Sequence, residues 1–206
     1  MNQKIDTIIF DLGGVLVDWD PKNVYRKVFN GDEEKASWFL NTVCTSEWNI
    51  EQDAGRTIEE AVNVKIAEFP QYENWIRIYY KEWHHMFSGI ITENVELLYK
   101  LQKTENYKIY GLTNWSAEKW ELALELFPFF KNFDGVVVSG VEKTRKPFPK
   151  IYNIIIDRYK IIPERTIFID DNKENITAAQ KINFIGIHYK PNELLIKTLE
   201  TYKINF

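Results

Sequence analysis

The stretch Ile-Asp-Thr-Ile-Ile-Phe-Asp-Leu-Gly-Gly-Val-Leu, residues 5–16, decides the fold of this chain of 206 residues. Its apolar run from Ile5 to Phe10 is short, rich in β-branched residues, and followed by Asp11 and the pair Gly13-Gly14. Such a run predicts a central strand that is buried on both faces of a sheet. Ligands bind beyond the carboxyl ends of strands in open parallel sheets, so the residues after Phe10 are the first candidates for a functional site.

Short apolar runs alternate with segments of helical spacing from residue 93 onward. The predicted strands after the first one cover residues 107–112, 135–138, 166–169 and 184–187. Strands separated by helices indicate βα units and therefore a parallel sheet. The sequence predicts an α/β fold with a doubly wound, Rossmann-like parallel sheet.

The segment between residues 21 and 87 has a different pattern, because helix-like stretches follow one another there without a convincing strand. Pro21 is well placed to open the first helix. Thr57 and Glu60 form a capping-box pattern, and Pro70 ends the helix that Thr57 begins. We therefore predict a catalytic core formed by residues 1–17 and 90–206, interrupted by an all-helical cap domain over residues 18–89.

Composition and charge restrict the partners and the location of the chain. A formal net charge of −4 provides no broad cationic surface, so we expect no nucleic acid partner. No apolar stretch approaches the roughly 20 residues that span a bilayer, so we expect no membrane partner either. The single cysteine, Cys44, fits a reducing compartment, and residues 1–6 show no signal peptide. We expect a cytoplasmic protein that is a monomer or a weak dimer.

Polar or small residues follow the predicted strands at one edge of the sheet. They are Asp11, Thr113-Asn114, Ser139-Gly140 and Asp170-Asp171, with Lys146-Pro147 between the last two pairs. Taken singly, each residue is a common helix cap or loop residue. Together, the carboxylates and a backbone carbonyl suit Mg²⁺, whereas Thr, Asn and Lys suit phosphate oxygens.

In these residues the sequence resembles the haloacid dehalogenase superfamily, in its helical-cap phosphatase branch. The resemblance covers the whole chain, and the helical insert follows the first motif as the cap does in that family. Four motifs carry it in the family's order, namely Phe10 to Leu16, Leu112-Thr113-Asn114, Arg145-Lys146-Pro147, and Ile169-Asp170-Asp171 with Asn175. The Asp-Leu-Gly opening is similar to that of bacterial glucose-1-phosphate phosphatases.

The resemblance implies a Mg²⁺-dependent phosphatase that acts on a small-molecule phosphate ester. Asp11 would be the nucleophile and would form an aspartyl-phosphate, which splits one difficult displacement into two easier ones. Mg²⁺ would be held by Asp11, the backbone carbonyl of Gly13 and Asp171, with Asp170 assisting directly or through water.

The resemblance also implies a phosphate-binding set. Thr113, Asn114 and Gly14 would contact the transferring phosphoryl group. Lys146 would offset the negative charge of Asp11 and of the phosphate together.

The sequence departs from the family at position 13. Most phosphatases of the superfamily carry a second Asp there as general acid and base, and such help is typically worth about 10²- to 10⁴-fold in rate. Gly13 cannot transfer a proton, so we expect slow turnover, a replacement acid, or an activated leaving group such as that of a sugar 1-phosphate. Asp18 and Asp20 are candidate replacements, although a capping role for Asp20 and a solvated Asp18 are favoured.

Aromatic residues make up 15% of the chain and include 7 tryptophans, five of them between the first motif and the end of the insert. We expect Trp19 and Trp48 to contact substrate. The segment from Trp48 to Gly55 breaks helical periodicity and resembles the family's specificity loop. Glu51 and Asp53 could hydrogen-bond a sugar there, and a buried tryptophan with two solvated acids is the equal alternative.

The sequence fits several other functions less well than it fits a phosphatase. His84 and His85 are adjacent, which on an α-helix would point them apart and prevent a paired ligand role, so a zinc enzyme or histidine triad is disfavoured. A 2-haloacid dehalogenase would place Asp170 and Asp171 beside a carboxylate substrate without Mg²⁺, and a phosphomutase would lack its acid at Gly13. A catalytically weak phosphate-binding sensor remains the alternative from a different class.

Overall fold

The computed structural model describes residues 4–206, and its centre is a five-stranded sheet in the order β5-β4-β1-β6-β7. Every pairing in this sheet is parallel, which confirms the predicted α/β fold. The strands of the chain are β1 (Thr7–Phe10), β2 (Val17–Trp19), β3 (Phe87–Ile90), β4 (Lys108–Thr113), β5 (Gly135–Val138), β6 (Thr166–Asp170) and β7 (Ile185–His188).

Strand β1 occupies the middle of the sheet because its side chains are apolar on both faces. Ile8, Ile9 and Phe10 are fully buried. Phe10 pairs with Gly111 of β4 on one side and with Ile169 of β6 on the other. This register brings the carboxyl ends of three strands side by side, so the residues after them meet at one edge of the sheet.

Helices flank the sheet, and helices also make up most of the segment inserted after β2. Thr57 Oγ1 accepts a hydrogen bond from Glu60 N at 3.2 Å, as the capping pattern predicts, and the helix that follows ends at Glu68, before Pro70. The helices are α1 (Lys22–Val28), α2 (Glu33–Thr42), α3 (Ser46–Asp53), α4 (Ile58–Glu68), α5 (Glu73–Lys81), α6 (Thr92–Thr104), α7 (Ala117–Leu126), α8 (Ser139–Glu142), α9 (Pro149–Tyr159), α10 (Lys173–Gln180) and α11 (Leu195–Thr201).

A two-stranded antiparallel ribbon, β2 with β3, was missed by the sequence interpretation. Val17 pairs with Ile90, and Trp19 pairs with Phe87. Strands of three and four residues are too short to show the alternation that identifies a strand. The chain thus leaves the core and returns to it side by side, at the two ends of the helical insert.

Aromatic packing fills the interior of the insert. The rings of Tyr25 and Phe39 lie 4.7 Å apart, and those of Tyr72 and Trp75 stack at 5.2 Å. Much of the aromatic surplus of the sequence therefore serves to hold five short helices together.

Two sequence expectations concern the ends and the surface of the chain. None of the helices within residues 4–206 is long and apolar enough to cross a membrane. The prediction that no signal peptide is present rests partly on residues 1–3, which lie outside the described residues.

Candidate active site

A buried ammonium group joins two of the predicted carboxylates. Lys146 Nζ lies 2.8 Å from Asp11 Oδ1 and 2.7 Å from Asp170 Oδ2, and it also donates to the Leu112 carbonyl at 2.8 Å. Lys146 and Asp170 are both fully buried, and Asp11 is 7% exposed. All three ammonium protons are therefore used, and they fix the lysine beneath the carboxyl ends of β1, β4 and β6.

Asp170 is saturated by hydrogen bonds. Its Oδ1 accepts from Asn172 N at 2.8 Å and from Asn175 Nδ2 at 3.0 Å, and Oδ2 accepts from Asn175 Nδ2 at 3.1 Å as well as from Lys146. This arrangement favours a role for Asp170 in positioning Lys146 over direct contact with a metal.

Asp11 follows β1 directly and is oriented from two sides. Its Oδ1 accepts from Leu12 N at 2.7 Å in addition to Lys146. Burial raises the pKa of Asp11 well above its usual range, Lys146 opposes that rise, and Asp170 and Asp171 add to it. Burial disfavours the charged form of Lys146, but Asp11 and Asp170 outweigh it and raise the pKa of the lysine.

The three carboxylates at this edge of the sheet fit a hard divalent cation. One carboxylate oxygen from each of Asp11, Asp170 and Asp171 can be chosen so that all lie within 4.8 Å of one another. Partial burial and the charge of Asp170 raise the pKa of Asp171. Three carboxylates facing one ammonium leave excess negative charge, and oxygen ligands of this kind are those that Mg²⁺ prefers. The donor set therefore fits the predicted Mg²⁺, with Gly13 lining the same cavity.

Gly14 leaves space for the side chain of Asp171. Its φ is +73°, and a Cβ there would collide with the Asp171 carboxylate. Its N–H donates to the Val17 carbonyl at 2.9 Å. This donor is therefore already used, the residue makes room for Asp171, and the predicted contact of Gly14 with the phosphoryl group stays a prediction.

Thr113 carries an unused hydroxyl at the end of β4. The residue is 1% exposed, and its Oγ1 has no hydrogen-bond partner within the described chain. A buried hydroxyl without a partner costs free energy, so an unpaired one at the end of β4, next to the strand that Asp11 follows, points to a ligand with acceptor oxygens. The backbone after Thr113 is fixed by Ser139, whose Oγ accepts from Trp115 N at 2.9 Å.

The side chain of Asn114 is hydrogen-bonded to the backbone of Lys146. Its Oδ1 accepts from Lys146 N at 2.8 Å, and its Nδ2 donates to the Lys146 carbonyl at 3.0 Å. The side chain therefore positions Lys146, and any phosphate contact from Asn114 would come from its backbone.

An open cavity of about 240 Å³ lies over these groups. Asp11, Asn114 and Asp171 line its floor. Its walls are aromatic and come from both the insert and the core, namely Trp19, Tyr80, Trp83, Phe87 and Trp115. Of these, only Trp19 was predicted to contact substrate. Trp115 follows Thr113-Asn114 directly in sequence, which is the signal that would have found it.

The segment predicted as a specificity loop is helix α3. Trp48 and Gln52, four residues apart, are buried on one face, and Trp48 Nε1 donates to the Ala61 carbonyl at 3.1 Å. Asn49 and Asp53, also four residues apart, line the cavity on the other face. The expectation that Trp48 contacts substrate is therefore corrected, because its indole packs inside the insert.

The sequence profile of the haloacid dehalogenase-like hydrolases matches residues 8–187. The chain belongs to this family. Among similar proteins, a phosphorylated carbohydrates phosphatase from Thermotoga maritima is 25% identical over 189 residues, which cover 89% of this chain and 84% of that protein. A sesquiterpene phosphatase from Aspergillus oryzae is 26% identical over 185 residues, which cover 87% of each protein.

Solved structures of the family are similar as well. The crystal structure of an HAD family enzyme from Bacteroides thetaiotaomicron, in complex with magnesium and inorganic phosphate, is 25% identical in sequence. It superposes with a TM-score of 0.68 and covers 92% of this chain and 96% of that one. The more specific resemblance to glucose-1-phosphate phosphatases stays a prediction.

The two acids predicted as possible substitutes for Gly13 lie outside the cavity of this haloacid dehalogenase-like hydrolase. Asp20 Oδ1 accepts from Lys22 N at 2.8 Å at the start of α1, and Asp18 is exposed on β2. These are the capping and solvated positions that the sequence favoured for them.

The histidine argument requires a correction. The rings of His84 and His85 lie 3.9 Å apart, and together with Glu82 they offer ligand atoms within 4.8 Å of one another. The segment is a short 3₁₀ turn, and the side-chain conformations of the two residues bring their rings together in spite of the angle between adjacent positions. The cluster lies outside the cavity that holds the other site residues.

Proposed function

We propose that this haloacid dehalogenase-like hydrolase is a Mg²⁺-dependent phosphatase that hydrolyses a small phosphorylated metabolite through an aspartyl-phosphate on Asp11. The observation that carries the proposal is the buried Lys146 held between Asp11 and Asp170, at the sheet edge where Thr113 carries an unpaired hydroxyl. Family membership and the phosphatases among its relatives support a phosphoric monoester hydrolase.

In the first step, an Asp11 carboxylate oxygen attacks phosphorus and the bond to the leaving oxygen breaks. The hydrogen bonds from Leu12 N and Lys146 Nζ hold the carboxylate in one orientation before the attack. Thr113 Oγ1 donates to a phosphoryl oxygen, and Lys146 offsets the charge that Asp11 and the phosphoryl group bring together. Water then attacks the aspartyl-phosphate, releasing phosphate and restoring Asp11.

Asp11, Asp171 and the carbonyl of Gly13 would hold Mg²⁺. When bound, the ion neutralises the phosphate oxygens that would otherwise repel the Asp11 carboxylate. Asp170 supports this arrangement through Lys146.

We propose that residues 18–89 act as a cap domain that closes over the site. Two contacts hold the helical segment against the core. Glu118 Oε1 of α7 accepts from Ile58 N at the start of α4 at 2.7 Å, and Lys119 Nζ donates to the Tyr80 carbonyl at 3.0 Å. Closure of this kind excludes water from the reacting groups.

A sugar phosphate is the substrate class that we propose, with sugar 1-phosphates as the finer prediction. The aromatic walls offer flat apolar faces of the kind that stack on sugar rings. Gly13 favours a leaving group that needs little protonation. The carbohydrate-phosphate relative supports the class, and the sesquiterpene phosphatase shows that relatives of similar identity differ in substrate. The cytoplasmic location and the monomeric or weakly dimeric state stay predictions from the sequence.

Release of phosphate from p-nitrophenyl phosphate tests the activity. We expect release that requires Mg²⁺, is abolished by Asp11→Asn, and needs a higher Mg²⁺ concentration in Asp171→Asn. Asp157→Asn, an exposed position on α9, is the matched control and should behave as wild type. Tight binding of inorganic phosphate without any turnover would instead favour the alternative function, a catalytically weak phosphate-binding sensor.

A panel of sugar phosphates tests the substrate class. We expect kcat/KM, measured under the same conditions, to be higher for sugar 1-phosphates than for sugar 6-phosphates. A strong preference for the 6-phosphates would count against the finer prediction and leave the phosphatase activity standing.

A further inference from the structure

The cavity contains a carboxyl group that the proposed chemistry has not yet used. Asp53 is the last residue of α3 and lines the cavity together with Asp11 and Asp171. No side-chain hydrogen bond or ion pair formed among residues 4–206 engages its carboxylate. An unpaired, partly buried carboxyl facing a reaction cavity is a candidate for proton transfer.

The other titratable side chains that line the cavity are already committed. Asp11 is the proposed nucleophile and Asp171 a proposed Mg²⁺ ligand. Tyr80 OH accepts from Gln52 Nε2 at 2.6 Å and donates to Asn49 Oδ1 at 2.8 Å, and burial raises its pKa well above the usual range. Among the described lining residues, Asp53 is thus the acid that remains.

The surroundings of Asp53 suit a group that both gives and takes a proton near neutral pH. Burial raises the pKa of Asp53 to about 7, although the charges of Arg145 and Lys146 oppose the rise. The charge of Asp53 in turn raises the pKa values of Tyr79 and Tyr80 on α5, the titratable groups that α5 contributes near this carboxyl. General acids and bases work best when their pKa lies close to the working pH.

We propose that Asp53 is the general acid and base that replaces the carboxyl missing at Gly13. This inference rests on the proposed phosphatase function. As the bond between phosphorus and the leaving oxygen breaks, its electron pair stays on that oxygen, which takes the proton of the Asp53 carboxyl. Asp53, now a carboxylate, then accepts a proton from the water that attacks the aspartyl-phosphate, and the bond between phosphorus and Asp11 breaks.

Asp53 lies on the inserted helical segment and not on the core, and this position has a consequence for catalysis. Asp53 belongs to the helical segment, so the acid reaches the leaving group only when that segment lies against the core, as the Glu118 contact holds it. Proton transfer is therefore coupled to closure. Ordinary alkyl and aryl phosphates, whose leaving groups need a proton, become possible substrates beside sugar 1-phosphates.

Two aryl phosphates of similar size separate proton transfer from the rest of catalysis. Phenyl phosphate has a basic leaving group that needs an acid, whereas p-nitrophenyl phosphate has a good leaving group that needs little help. For Asp53→Asn we expect kcat/KM to fall about 100-fold or more on phenyl phosphate and less than about 3-fold on p-nitrophenyl phosphate. The wild-type loss of kcat/KM on phenyl phosphate above about pH 7 should disappear in this variant.

Controls distinguish a catalytic role from a structural one. Glu47→Gln removes an exposed charge from the same helix, at a position that does not line the cavity, and should leave both rates unchanged. Asp53→Glu keeps a carboxyl and should retain more activity on phenyl phosphate than Asp53→Asn does. Gly13→Asp combined with Asp53→Asn should restore phenyl phosphate hydrolysis, because no heavy atom beyond the chain neighbours lies within 4 Å of a Cβ at position 13.

The outcomes are separable. Equal losses on both aryl phosphates in Asp53→Asn, with Asp11→Asn still inactive, overturn the role of Asp53 and leave the phosphatase function standing. A wild-type protein that releases no phosphate from either ester with Mg²⁺ overturns the proposed function and this inference with it.

Discussion

The side chain of Asn114 holds the backbone of Lys146 from both sides, accepting from its N–H at 2.8 Å and donating to its carbonyl at 3.0 Å. The lysine in turn joins Asp11 to Asp170. The side chain of an asparagine that follows β4 thus fixes the loop that carries Lys146. The position of the buried ammonium depends on a residue 32 positions away in the sequence.

Asn114→Ala should therefore lower both activity and stability. It removes two hydrogen bonds and leaves the Lys146 amide unpaired, while the Lys146 carbonyl keeps a hydrogen bond from Arg145 Nη1 at 3.2 Å. We expect the free energy of unfolding to fall by about 1–3 kcal/mol. The decrease in kcat should exceed the change in KM. Urea denaturation and steady-state kinetics measure the two effects. Asn63→Ala, an exposed asparagine on α4, is the matched control, and equal stability of the two variants would contradict the role of Asn114.

The adjacent glycines at positions 13 and 14 should respond oppositely to substitution. Gly13→Asp has room for its Cβ, so we expect a folded protein that hydrolyses phenyl phosphate at least as fast as wild type. Gly14→Ala has a φ of +73° and a Cβ that collides with the Asp171 carboxylate. It should lower stability by about 1 kcal/mol or more and weaken Mg²⁺ binding. Thermal denaturation with and without Mg²⁺ compares them, and equal tolerance at both sites would refute the geometry.

Glu118→Ala should loosen the helical segment. The substitution removes the acceptor for Ile58 N and a negative charge at the N-terminus of α4, which we expect to cost about 0.5–2 kcal/mol of closure. Small-angle scattering should show a more open average shape, and kcat/KM should fall several-fold. Glu121→Ala on the same helix is exposed and should change neither property. Identical scattering and kinetics for the two variants would argue against this contact as a closing device.

Asp53 should make stability depend on pH with a defined sign. Its pKa is raised to about 7 in the folded protein from an ordinary value of 3.8, so the folded state binds the proton more tightly than the unfolded state does. Its contribution to stability therefore declines as pH rises from about 4 to about 7. Asp53→Asn should stabilise the protein relative to wild type more at pH 8 than at pH 5. Denaturant unfolding at both pH values tests this, and a pH-independent difference would contradict the raised pKa.

The sequence predicted the sheet because its signals are local and redundant. Each strand in the core is a short apolar run, each helix between them has apolar residues at helical spacing, and the strand ends carry the acids and the threonine. Lys146 lies in the loop between α8 and α9. Parallel connections bring those ends to one edge whatever the details of packing. The sequence alone therefore placed Asp11, Thr113 and Asp171 at one edge of the sheet, and the resemblance to the haloacid dehalogenase superfamily added Lys146 and the roles of all four residues.

What the sequence alone could not decide is which face of a short helix meets the cavity. In α3 the pairs Trp48 with Gln52 and Asn49 with Asp53 have the same spacing, so both are possible core faces from the sequence. Packing within the insert buries Trp48, and docking of the helical segment on the core places Asp53 in the same cavity as Asp11. Tertiary structure likewise decided that Asp170 and Asn114 act through Lys146, because hydrogen bonds between distant segments use up their oxygens. The candidate residues at the strand ends follow from the local sequence. The candidacy of Asp53 as a proton donor follows only from the packing of the helical segment against the core, which places this residue in the cavity.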